Sequence, residues 1–132
     1  QFGFSVEAVA DLQEIDDQLV DLVINLVGAR ILGMPWTESR RKVLYSSRID
    51  LTKKLVEWMQ LRTQKPSLLL SASAIGYYGI QAQSDKTEWT EEQPPQSIFM
   101  SQLCQDWEAA AKTISAQVPV VAMRFGVVLG HG

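Results

Sequence analysis

Ser71, Ser73, Tyr77 and Tyr78 are crowded into the stretch Leu68-Leu69-Leu70-Ser71-Ala72-Ser73-Ala74-Ile75-Gly76-Tyr77-Tyr78-Gly79. Hydroxyls and phenols both donate and accept hydrogen bonds, and a positioned phenol moves protons. A short apolar run after Pro66 breaks directly into small hydroxylated residues, then into an aromatic pair closed by glycine. This is the pattern of a buried parallel strand whose C-terminal end opens into a loop. In open α/β sheets, ligands sit in the crevice at the carboxyl ends of strands, so the four side chains are candidates to meet one there. The plainer alternative is a core strand that runs into a polar turn.

The chemistry open to the chain is narrowed by what it lacks. One cysteine, Cys104, excludes an internal disulfide framework and a cysteine-rich zinc site. The single histidine, His131, stands beside the last residue, which argues against a histidine metal centre or a serine–histidine pair. A net charge of −3 gives no reason to expect nucleic acid or an anionic membrane surface. The basic cluster Arg40-Arg41-Lys42 follows Glu38 on an expected helix and reads as a solvated face. No segment is apolar and long enough to span a bilayer, and no leader pattern opens the chain, so the expected setting is reducing and cytoplasmic. With 132 residues and 46% hydrophobic content, residues 1–132 are read as one domain with its own core.

Around the central strand, the pattern requires alternating strands and helices. Phe2, Phe4, Val6 and Val9 form an extended lead-in, and Asp11 to Gln18 a short helix or turn with Leu12, Ile15 and Leu19 on one face. Asp21 introduces Leu22-Val23-Ile24-Asn25-Leu26-Val27-Gly28, a β-branched run expected to be a strand buried on both faces. Asn25 is its anomaly. A buried amide must be hydrogen-bonded, either to the backbone of a neighbouring element or to a ligand. Gly33 and Pro35 mark a loop, and Thr37 with Glu38 caps a helix running to about Arg62. Leu44, Leu51, Leu55 and Met59 form its expected apolar stripe, flanked by Ser47 and a snorkelling Arg48. Residues 80–96 are polar, acidic and proline-rich, a surface loop able to cover a pocket, with Trp89 folding back on the body. Ser97 is the expected cap of a last helix carrying Phe99, Leu103, Trp107, Ala110 and Ile114 on one face, and Val118 to Val128 is a third strand. Strands alternating with helices make βαβ units and a parallel sheet.

Six blocks in this order carry a family resemblance. They are Asp21 to Gly28, Trp36-Thr37, Ser47-Arg48-Ile49, Ser71 to Gly79, Trp107-Glu108-Ala109-Ala110-Ala111 and Arg124-Phe125-Gly126-Val127-Val128-Leu129-Gly130. Together they resemble the epimerase-like branch of the extended short-chain dehydrogenase/reductase superfamily (NAD-dependent epimerase/dehydratase, cell-division-inhibitor-like nucleotide-sugar epimerase). The resemblance implies a Rossmann-like, doubly wound α/β sheet that binds a nicotinamide dinucleotide, NADP(H) favoured and NAD(H) the alternative. Its substrate is an unidentified small molecule, a sugar nucleotide or a carbonyl compound. It further implies that the glycine-rich N-terminal βαβ and the C-terminal substrate portion are missing, since no G-x-G-x-x-G pattern occurs. Pairing into homodimers through such helices is a further implication.

Carried over by position, Asn25, Val27, Gly28 and Ala29 resemble the turn beside the cofactor's ribose and diphosphate. Ser71 and Ala72 resemble the strand end next to the nicotinamide, and Arg124, Gly126 and Val127 the strand end on its other side. Ser73, Tyr77 and Tyr78 are the catalytic candidates. Ser73 has the spacing before Tyr77 that the superfamily shows, whereas a register on Tyr78 puts Ala74 there. The departures are as informative. Met100 and Cys104 fall where the superfamily has its Tyr-x-x-x-Lys pair, and Arg48 where it has an asparagine. One reading is therefore an epimerase or oxidoreductase with a substitute tyrosine acid/base, helped by Arg48 as its positive neighbour. A second is a dinucleotide-binding sensor or scaffold with weak or no turnover, and a third is a Rossmann-like fragment whose polar residues only satisfy the fold.

Overall fold

The computed structural model describes residues 5–33 and 35–128. Phe2, Phe4, Leu129, Gly130 and His131 lie outside them. Three parallel strands, β1 (Leu22–Asn25), β2 (Leu68–Ala74) and β3 (Val120–Phe125), form one sheet in the order β1-β2-β3. The register pairs Asn25 with Ser71, and Ser73 with Arg124. Each crossover is helical: α1 (Glu38–Tyr45), a five-residue π turn (Ser46–Asp50) and α2 (Leu51–Leu61) join β1 to β2, and α3 (Phe99–Lys112) joins β2 to β3.

Local signals set most of these boundaries. Thr37 caps α1 by accepting from the Arg40 amide, and Glu38 stands in the first turn where the helix dipole favours an acid. Asp11 and Glu14 form a reciprocal capping box around a 3-10 turn at Leu12–Ile15. That turn is tied to α2, where Trp58 Nε1 donates to Asp16 at 2.7 Å. The Ser97 cap is not used: α3 begins at Phe99 behind Ile98, which has no side chain to accept an amide.

The core lies between the sheet and the helices. Val56, Met59, Leu69, Ala111, Ile114 and Val118 make one buried cluster, and Leu44, Ile49, Ala72, Leu103, Trp107 and Ala110 the other. The expected stripe of the first helix is therefore altered. Leu51 is 44% exposed, while Ile49, Thr52 and Val56 are buried. The π turn at Ser46–Asp50 adds a residue to one turn and re-phases the face that follows. β1 is likewise not buried on both faces. Val23 and Asn25 point to the helices, whereas Leu22 and Ile24 are 44% and 55% exposed. It is an edge strand of this sheet, and successive side chains alternate between a covered and an open face.

Candidate functional site at the strand ends

At the carboxyl end of β1, Asn25 is 2% exposed and fully engaged. Its Nδ2 donates to Thr52 Oγ1 at 2.9 Å and to Ser71 Oγ at 3.2 Å, and its Oδ1 accepts from the Val27 amide at 3.3 Å. Thr52 also accepts from Trp107 Nε1 at 3.0 Å. The buried amide thus pins β1 to β2, α2 and α3. Its partners are side chains and a nearby amide, not the backbone of a neighbouring element, and the Ser71 oxygen accepts within the same network.

The turn after β1 is held from behind. Ala29 N donates to Ser47 Oγ at 3.0 Å, and Ala29 O accepts from Arg48 Nη2 at 3.1 Å. Arg48 is 7% exposed, donates also to Leu44 O and lies 5.2 Å from the Trp107 ring centroid. It does not snorkel, and it is not the positive neighbour of the tyrosines. Burial is the main reason that its pKa falls below the ordinary guanidinium value. Gly28 allows this arrangement, since a Cβ there would stand 3.0 Å from the guanidinium. Beside this turn, a cleft of about 890 Å³ opens between Asn25 and Val27, the 3-10 turn and the outer side of α2, where Leu51, Leu55 and Trp58 form apolar walls.

A second group forms at the ends of β2 and β3. Ser73 is buried and donates to Glu108 Oε1 at 2.8 Å. Arg124 meets the same carboxylate with two donors, Nε to Oε1 at 2.8 Å and Nη2 to Oε2 at 3.0 Å. Its Nη1 donates to Tyr78 Oη and to the Glu91 carbonyl, both at 2.9 Å. The guanidinium carbon stands 3.5 Å from the Tyr77 ring centroid. Trp89 packs edge-on against Tyr78 with centroids 5.8 Å apart, which brings residues 80–96 back over the strand ends.

The ionisation states follow from these contacts. Burial works to raise the Glu108 pKa, but the hydrogen bonds from Arg124 and Ser73, with the Arg124 charge, hold it below the usual carboxylate value. Arg124 is raised in turn, chiefly by its bonds to Glu108. Cys104, 2% exposed, has its thiol pushed up by burial and is not a thiolate. Met100 and Cys104 instead pack against Gly76, where an added Cβ would meet Met100 Cε at 3.0 Å.

Of the residues picked out by sequence, Ser73, Tyr77, Tyr78 and Arg124 come together. Asn25, Ser71, Val27, Gly28 and Ala29 form the separate group at β1. Ala72 is buried in the core, and Gly126 and Val127 follow β3 on the open side. Glu108 was missed as a site residue. Its signal was present: an acid directly after Trp107 and one turn beyond Cys104, on the face that α3 buries, requires a partner.

The fold and its strand ends define a Rossmann-like α/β unit. Residues 6–132 match the model of the NAD dependent epimerase/dehydratase family, and the chain belongs to that family. It is 35% identical over 126 residues to the epimerase family protein YfhF of Bacillus subtilis, covering 95% of this chain and 40% of that protein. It is 33% identical over 126 residues to the epimerase family protein SDR39U1 of mouse, covering 93% of this chain and 42% of that protein. The crystal structure of human SDR39U1 (isoform 2) with NADPH superposes with a TM-score of 0.74 at 29% identity, covering 91% of this chain and 42% of that one. UDP-glucuronic acid 4-epimerase of Bacillus cereus in complex with NAD, at 18% identity and a TM-score of 0.71 over 91% of this chain and 36% of that one, shares the fold. The chain spans about two-fifths of the length of these relatives.

Proposed function

We propose that the protein binds a nicotinamide dinucleotide, NADP(H) in preference to NAD(H), and acts as an epimerase or oxidoreductase on a small sugar-nucleotide or carbonyl substrate. The observation that carries this reading is the superposition on the NADPH-bound human protein over nearly the whole chain. The residues at β1 fit such a group. The cleft beside Asn25 and Val27 has apolar walls for a flat ring and Lys54 as a cation for a phosphate, while Asp11, Asp16 and Glu57 also line it and Arg62 is held by the Ile15 and Gln18 carbonyls. In the turn Val27, Gly28 and Ala29, the Val27 and Ala29 amides already donate to Asn25 and Ser47, so the Gly28 amide would be the donor offered to the dinucleotide, with Val27 and Ala29 shaping the close approach of the backbone. When bound, the nicotinamide supplies hydride transfer. The chain's own part is to orient and to exchange a proton. Tyr78 is half-buried at the strand ends, with its oxygen held by Arg124. Tyr77 is the platform beneath that arginine. Ser73 supports from behind, since its proton is given to Glu108.

A second reading, a dinucleotide-binding sensor or scaffold with little turnover, is favoured by the packing of Met100 and Cys104 at the positions of the superfamily's Tyr-x-x-x-Lys pair. Incubating the full-length protein with NADPH and a panel of sugar nucleotides and carbonyl compounds, while following nicotinamide absorbance and product composition, separates the two. Turnover that Tyr78→Phe lowers tenfold or more supports the enzyme. Saturable binding with no turnover across the panel supports the sensor.

A further inference from the structure

We propose that Arg124, braced by Glu108, is the positioning residue of this site: it turns the Tyr78 hydroxyl outward as a hydrogen-bond donor and ties residues 80–96 to the strand ends. The inference rests on Tyr78 being a site residue, as argued above, and adds which hydroxyl gives a proton and what aims it.

Hydrogen-bond direction carries the argument. A guanidinium has only donors. Four Arg124 N–H bonds are accounted for: two to the Glu108 carboxylate, one to the Tyr78 phenol oxygen and one to the Glu91 carbonyl. The phenol oxygen therefore accepts from Arg124, and its own proton has to point elsewhere. No described residue accepts that proton. Ser73 is in the opposite state, because its proton is given to Glu108 and it offers only lone pairs from a site 3% exposed. Of these two hydroxyls, Tyr78 alone keeps a proton for a ligand. The group it fits is an oxygen acceptor, a carbonyl or hydroxyl oxygen.

The rest of the cluster prevents Arg124 from turning away. Its forked pair with Glu108 fixes the guanidinium plane. The Tyr77 ring lies against one face of that plane at 3.5 Å, and the guanidinium side chain is only 16% exposed. Through the Glu91 carbonyl the same guanidinium anchors the loop, whose Trp89 closes on the Tyr78 ring. Arg124 is thus directed inward, to the protein, and away from a phosphate.

The test is fluorine NMR of the full-length protein labelled with 3-fluorotyrosine, with the Tyr78 signal assigned by its loss in Tyr78→Phe and Tyr45 in α1 as the control ring. In Arg124→Met and in Glu108→Gln, the Tyr78 signal is expected to leave its own position and move towards that of exposed tyrosine, while Tyr45 stays in place. An unmoved Tyr78 signal in Arg124→Met and Glu108→Gln, each folded by near-ultraviolet circular dichroism, overturns the inference. NADPH titration of the same wild-type sample separates the two levels: failure to bind NADPH contradicts the proposed function, and an unmoved Tyr78 signal contradicts the role of Arg124.

Discussion

Arg124 at the end of β3 grips both oxygens of the Glu108 carboxylate on α3, at 2.8 and 3.0 Å, with the acid only 4% exposed. Removing one member of a buried pair leaves the other charge without compensation, which costs about 3–5 kcal/mol. Glu108→Ala is expected at the lower end of that range, about 3 kcal/mol, because Arg124 keeps a little solvent contact. Chemical denaturation of the two proteins checks it, and a loss near zero would contradict the pairing.

The same carboxylate sets a pH dependence. The Glu108 pKa is lowered in the folded protein, so the unfolded chain binds its proton more readily. Its contribution is present in full above the ordinary value of 4.5 and is lost as pH falls through the lower folded value. The difference in melting temperature between wild type and Glu108→Gln should therefore be constant at neutral pH and shrink below about 4.5. A difference that grows on acidification would contradict the sign.

Thr52 is the shared acceptor of two buried donors, Asn25 Nδ2 and Trp107 Nε1. Thr52→Val keeps the shape and leaves both donors short of a partner, for an expected loss of about 2–3 kcal/mol. Thr52→Ser restores the acceptor and should recover more than half of it. Equal losses in the two variants would show that packing, not hydrogen bonding, matters at this position.

These contacts show where sequence was informative. The strands, the parallel order and the Thr37 cap were legible because each depends on a local period or a single capping side chain. Asn25 was legible as a group that needed partners, although which ones was not, since Thr52 and Ser71 are 27 and 46 residues away. The cation beside the tyrosines was assigned to Arg48 when it is Arg124, for the same reason. Arg48 is next to Ser47 in sequence yet folds behind Gly28, and Arg124 reaches Tyr78 only through the β2–β3 pairing. The π turn has no sequence period of its own, so Leu51 was placed on the buried face after Asp50 where Thr52 and Val56 stand, while Met59 is buried as expected. The open face of β1 is the side of the sheet away from the helix-packed core, which an apolar run does not record.

Gly79 is another position where local geometry is demanding. Its φ is +87°, and a Cβ would collide with the Gln96 side chain, which clips Ile80 by accepting from its amide at 3.0 Å and donating to its carbonyl at 2.9 Å. Gly79→Ala combines backbone strain with a displaced clip, for about 2–3 kcal/mol. Limited proteolysis should then cut within residues 80–96 faster than in wild type. An unchanged cleavage rate would show that the clip does not hold the loop.

The most direct test of the central claim is a titration of NADPH, and in parallel NADH, into the full-length protein, followed by nicotinamide fluorescence. Saturable binding, tighter for NADPH, is the expected result. No binding of either nucleotide by the folded full-length protein would contradict the claim and leave a Rossmann-like fold that does not hold a dinucleotide.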